Sequence, residues 1–124
     1  MKIISTRFHG VLDYLMGLTF LILPAVMNWD QPENTLLMAL GAATIFVSLL
    51  TDYEMGAFRV LPMGVHLVAD ITVALTLIIA PMVTPRIDST PGAIMIGLGI
   101  TELLAVALTQ TRPSDRPAHH ATSH

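Results

Sequence analysis

Two copies of a histidine followed four residues later by an aspartate stand inside the most apolar stretches of this sequence. His9 precedes Asp13 and His66 precedes Asp70, so the second pair follows the first at an offset of 57 residues. A spacing of four residues places both side chains on one face of a helix. Imidazoles and carboxylates in this arrangement can bind a divalent metal, relay protons or pair with one another.

A third carboxylate, Glu102, belongs with these two pairs by its depth in the chain's helices. At 1.5 Å per helical residue, the two aspartates lie about 12 Å from the helix starts expected at Ser5 and Pro62. Glu102 lies about 10 Å from the end of its own helix at Thr109, which runs in the opposite direction. We therefore predict one shared site. Its candidate metal ligands are His9, Asp13, His66, Asp70 and Glu102, with polar support from Arg7, Arg59 and Thr44.

The composition places these residues in a membrane protein. Of 124 residues, 53% are hydrophobic and 12% are charged, whereas soluble domains carry about 25% charged residues. Four apolar segments approach the roughly 20 residues needed to cross a bilayer, namely residues 8–29, 35–50, 61–84 and 92–109. The predicted fold class is therefore all-α, a four-helix transmembrane bundle whose first partner is the lipid bilayer.

The four segments also read as two tandem copies of one two-helix unit, over about residues 5–53 and 62–110. Beyond the His-Asp pairs, three further alignments occur at an offset of 58 residues: Gly41 with Gly99, Thr44 with Glu102, and Thr51 with Thr109. Because each unit contains two spans, both copies point in the same direction across the membrane. The predicted bundle covers residues 1–110, and residues 111–124 are predicted to be a disordered cytoplasmic tail.

The pattern of Asp13, Gly17 and Pro24 within a two-helix unit resembles the SPW-repeat family of small bacterial membrane proteins. The matching residues in the second unit are Asp70, Ala74 and Pro81, and the resemblance covers most of residues 5–110. The sequences "LPA" and "APM" stand where the family has its serine and tryptophan. The resemblance implies a bacterial membrane protein and adds no catalytic residue.

Charges outside the spans predict the orientation of the chain. The side that holds both termini and the middle loop carries most of the basic residues, and the opposite side has Arg86 alone against three acidic residues. By the positive-inside rule, both termini face the cytoplasm of a bacterial inner membrane. The basic residues that carry this prediction are Lys2, Arg7, Arg59, Arg112 and Arg116.

The sequence leaves three functions open for the buried polar residues. They could serve a structural or accessory role, with the carboxylates paired to histidines or arginines. They could hold a divalent metal or metallocofactor in the bundle. They could also translocate protons or ions, because ionisable groups inside membrane spans are functional candidates by default.

Other classes of function find little support in the sequence. No phosphate loop, nucleophile elbow, zinc-protease signature or dinucleotide fingerprint occurs, so we do not expect an enzyme. No basic patch outside the tail suits nucleic acid. Small residues at helical spacing would let helices approach closely and favour a homo-oligomer; these are Ala39 with Ala43 and Ala93 with Gly97.

Overall fold

The computed structural model describes residues 3–110, and this part of the chain forms four α-helices and no strand beyond two isolated bridges. The helices are α1 (Thr6–Val26), α2 (Glu33–Leu50), α3 (Met63–Val83) and α4 (Ser89–Leu108). The predicted all-α, four-helix architecture is confirmed. Lys2 and the predicted tail, with Arg112 and Arg116, lie outside the described residues.

The helix boundaries follow local signals in the sequence. The Ser5 hydroxyl oxygen accepts a hydrogen bond from the Phe8 amide at 3.1 Å and so caps α1. Pro62 precedes α3 in an extended conformation. Helix α4 begins three residues before its predicted span, because Asp88 occupies the N-cap and Pro91 falls in the first turn, where its missing N–H is not needed.

The bundle has a largely apolar surface, and its interior combines apolar clusters with buried polar residues. Large apolar side chains such as Phe8, Leu18, Phe46 and Leu104 are exposed, whereas histidines, carboxylates and hydroxyls are buried. All four helices are long and apolar enough to cross a membrane. A soluble protein would keep such ionisable groups on its surface. The chain is therefore a multi-pass membrane protein whose apolar surface faces lipid.

The helices pack as two hairpins, α1 against α2 and α3 against α4, and α2 carries most of the helix contacts between the hairpins. Each hairpin has a point of backbone contact near its middle. A Cβ atom on Gly41 would lie 2.7 Å from the Gly17 carbonyl oxygen, and one on Gly99 would lie 2.7 Å from the Ala74 carbonyl oxygen. Glycine at these positions permits the two helix backbones of each hairpin to approach closely.

The close contact at Gly99 predicts a position-specific loss of stability. Gly99→Ala should destabilise the bundle by about 1–3 kcal/mol, because overpacking a tight contact costs that much. Gly97→Ala in the same helix is the matched control, since its new Cβ would meet nothing within 4 Å. Thermal unfolding in detergent, followed by circular dichroism, measures both variants. Equal melting temperatures would contradict the assignment of Gly99 to a backbone contact.

Candidate functional site

Two histidines and two aspartates meet in the interior of the bundle. One ligand atom from each of these residues lies within 4.8 Å of the other three. All four residues are at most 2% exposed. We call this set, which comprises His9, Asp13, His66 and Asp70, the His-Asp cluster.

The shortest contacts in the cluster join the two hairpins. The His9 Nε2 atom lies 2.7 Å from Asp70 Oδ2, and His66 Nε2 lies 2.6 Å from Asp13 Oδ2. Within each helix the corresponding distances are longer, 3.2 Å in α1 and 3.0 Å in α3. The spacing of four predicted that each histidine shares a face with its own aspartate, and it does, but the closer partner belongs to the other hairpin.

Two threonines that the sequence analysis did not include hold the outer nitrogens of the imidazoles. His9 Nδ1 lies 2.7 Å from Thr109 Oγ1, and His66 Nδ1 lies 2.7 Å from Thr51 Oγ1. Both threonines are fully buried at the C-terminal ends of α4 and α2. The offset of 58 residues that aligns Thr51 with Thr109 was the signal that could have identified them.

The threonine contacts assign the proton on each imidazole. The Thr51 hydroxyl donates to the Val47 carbonyl oxygen at 2.6 Å, and the Thr109 hydroxyl donates to that of Ala105 at 2.5 Å. A hydroxyl has only one proton to donate. Each threonine oxygen must therefore accept a hydrogen bond from a histidine Nδ1–H, and this leaves Nε2 facing the aspartates.

This assignment requires a proton or a metal cation between each inner imidazole nitrogen and the aspartates. In a neutral imidazole with a proton on Nδ1, Nε2 carries a lone pair. A lone pair and a carboxylate oxygen repel each other at 2.6–2.7 Å, the separations seen between the hairpins. Either a proton or a metal cation must lie between them. Metal-binding histidines commonly show the same outer arrangement, with the second ring nitrogen donating to a neighbouring oxygen.

The loop between α2 and α3 lies against the cluster. Tyr53 is fully buried, and its ring centroid is 5.4 Å from that of His66. On the other side, a Cβ atom on Gly10 would lie 2.6 Å from Tyr53 Cε2, so a glycine beside His9 admits the ring. Burial raises the pKa of the Tyr53 phenol above its usual range, and the neutral phenol adds no negative charge near the aspartates.

Glu102 and Thr44, the remaining buried residues of the predicted site, do not belong to the cluster. Glu102 is 1% exposed, and it interacts electrostatically with all four members of the cluster. Within residues 3–110, neither of its carboxyl oxygens has a hydrogen-bond partner, and the same holds for the Thr44 hydroxyl. Glu102 therefore keeps two potential ligand atoms beside the cluster, but the set of four converging atoms excludes it.

The two arginines predicted to support the site lie on the surface. Arg7 and Arg59 are both exposed, whereas the aspartates of the cluster are buried. The compensating charge for the aspartates therefore comes from within the cluster or from a bound cation.

Comparison with known proteins assigns no family to this chain. No family model matches it, and no curated protein or solved structure matches it either. The resemblance to the SPW-repeat family stays a prediction from the sequence. The function has to be argued from the geometry of the site.

Removing either threonine hydroxyl should destabilise the bundle. Thr109→Val keeps the shape of the side chain but leaves the His9 Nδ1–H buried without an acceptor, which costs about 1–3 kcal/mol. Thr101→Val is the control, because the Thr101 hydroxyl is exposed and bonds only to the Gly97 carbonyl oxygen of its own helix. Unfolding in detergent compares the two variants. If Thr109→Val is as stable as Thr101→Val, the threonine does not hold the imidazole.

Proposed function

We propose that this chain is a small membrane protein with a buried metal centre, in which the His-Asp cluster binds one divalent transition-metal ion. The observation that carries the proposal is the convergence of both Nε2 atoms and one oxygen of each aspartate within 4.8 Å. The Nδ1 atom of each imidazole contacts a threonine oxygen, which orients the ring. Two imidazoles and two carboxylates are a common ligand set for zinc, iron and manganese.

Each histidine of the cluster contacts both aspartates through the same nitrogen atom, and this favours a central ion over separate hydrogen-bonded pairs. Each Nε2 contacts the Oδ2 atoms of both aspartates, at 2.6–3.2 Å. Two isolated His-Asp pairs would need only one contact for each histidine. In a tetrahedral centre with bonds of about 2.0–2.2 Å, neighbouring ligand atoms are about 3.3–3.6 Å apart. Around such an ion, the two shortest nitrogen–oxygen contacts would lengthen by about 0.6–1.0 Å.

Charge balance also supports a divalent ion. Two ionised aspartates contribute two negative charges, and two neutral imidazoles contribute none. A divalent cation makes the buried group neutral, and a neutral group is far less costly than isolated charges inside a membrane. Glu102 stands beside this centre as a candidate additional ligand.

A structural role is the second candidate, and the shortest contacts favour it. Distances of 2.6 and 2.7 Å between nitrogen and carboxylate oxygen match charge-assisted hydrogen bonds. With protons in place of the metal, two imidazolium groups and two carboxylates would form a neutral hydrogen-bonded link between α1 and α3.

Proton or ion translocation along the same groups is a third candidate from the sequence, and proton flux in liposomes that Asp13→Asn abolishes would favour it.

We propose further that the end of the bundle with the His-Asp cluster faces the cytoplasm of a bacterial inner membrane. The greater number of basic residues on the side of the termini and the middle loop supports this orientation. A homo-oligomer through the small-residue faces of α2 and α4 is compatible with the exposed positions of Ala39 and Gly97.

Metal analysis of the full chain tests the proposed centre. Protein purified in detergent without a histidine tag should contain about one transition-metal ion per chain by mass spectrometry. His9→Ala and His66→Ala should lose that ion. The matched control changes His119, His120 and His124 of the tail to alanine, and it should retain the metal.

A second measurement guards against variants that fail to fold. Wild-type protein stripped by a chelator should bind one equivalent of Co²⁺ with a visible ligand-field spectrum. Thr51→Val should bind it about 10–100-fold more weakly, as is typical when an outer partner of a histidine ligand is lost. The proposal is wrong if folded wild-type protein contains no metal, takes up no Co²⁺ and melts at the same temperature with or without chelator. The structural link between the hairpins would then be the function of the cluster.

A further inference from the structure

A second polar site lies at the opposite end of the bundle from the His-Asp cluster. A pocket of about 250 Å³ opens where the loop between α1 and α2 meets the start of α4. Along α1, the 14 residues from Asp13 to Met27 separate the two sites by about 20 Å. Three carboxylates line the pocket, those of Asp30, Glu33 and Asp88.

Glu33 distinguishes this pocket from an ordinary acidic surface. The residue is only 1% exposed, and its Oε2 atom is buried with no hydrogen-bond partner in the described part of the chain. A buried carboxyl oxygen without a donor is destabilising. Because Glu33 lines the pocket, a ligand bound there could supply the missing interaction.

The other carboxylates are also available to a ligand. Asp88 is the N-cap residue of α4, but its side chain makes no capping hydrogen bond. Asp30 and Asp88 are exposed. The nearest basic residue in sequence, Arg86, is exposed, does not line the pocket and forms no ion pair within residues 3–110. The pocket therefore concentrates negative charge that no arginine or lysine on its wall balances.

We propose that this pocket binds a hard divalent cation of the Ca²⁺ type. Five side chains on its wall offer oxygen, namely the three carboxylates, the Asn28 amide and the Thr90 hydroxyl, and Met27 adds one thioether sulfur. Calcium accepts six to eight oxygen ligands in flexible geometry and takes water at open positions. The pocket supplies no imidazole or thiolate, which are the ligands that zinc prefers.

The only tryptophan in the chain provides a local reporter of this site. Trp29 lines the pocket and is 7% exposed. Tb³⁺, which replaces Ca²⁺ in oxygen sites, emits when a nearby excited tryptophan transfers energy to it. Full-length protein in detergent should therefore show saturable Tb³⁺ emission on tryptophan excitation, and Ca²⁺ should displace the ion.

Charge-neutralising variants make this experiment decisive. Glu33→Gln and Asp88→Asn should each weaken Tb³⁺ binding by tenfold or more, and circular dichroism checks that both remain folded. Asp52→Asn removes the same charge from the loop at the other end of the bundle and should bind Tb³⁺ as the wild type does. No saturable emission from the wild type, or unchanged affinity in either pocket variant, would overturn the proposal. The result is independent of the metal content of the His-Asp cluster.

Discussion

Two carboxylates that are buried away from water in an apolar bundle need positive charge within contact distance. This requirement determines how the interior of the protein is arranged. Asp13 and Asp70 are each 2% exposed, and the arginines available to neutralise them lie on the surface. Within residues 3–110, the imidazole nitrogens lie closest to the aspartates, and the Ser48 hydroxyl donates a longer hydrogen bond of 3.5 Å to Asp13 Oδ2. Because the outer imidazole nitrogens donate to threonine oxygens, the inner ones must share a proton or a metal ion with the aspartates. The threonines thus determine what the centre can hold.

The same requirement couples the two hairpins. Each hairpin provides one histidine, one aspartate and one threonine, but the closest aspartate to each histidine comes from the other hairpin. His9 of α1 also depends on Thr109 at the end of α4, and His66 of α3 depends on Thr51 at the end of α2. Neither hairpin alone can satisfy its own polar groups. Separating the hairpins would therefore expose buried ionisable groups to lipid. The free-energy cost of that exposure strongly disfavours the separated state.

The sequence predicted the fold and a meeting of five polar residues, four of which the structure brings together, because both expectations rest on simple periodicities. Long apolar segments specify membrane helices, and a spacing of four specifies a shared face. The exchange of partners between hairpins could not be predicted, since it depends on how α1 and α3 rotate against each other. Glu102 shows the same limit: its depth placed it beside the cluster, but depth alone does not give the direction of its side chain. The threonines were visible as an aligned pair, but a hydroxyl near a helix end usually bonds only to its own helix.

The two polar sites differ in ligand chemistry as well as in position. Nitrogen and oxygen donors converge in a buried cluster of fixed geometry at one end, and such a set favours borderline transition metals. At the other end, oxygen donors line a pocket that is open to solvent, and such a set favours hard cations that retain water. An ion that suits one site is therefore poorly suited to the other. Because about 20 Å of packed helix lies between them, the two sites share no side chain, and the ions proposed for them would not compete for the same ligands.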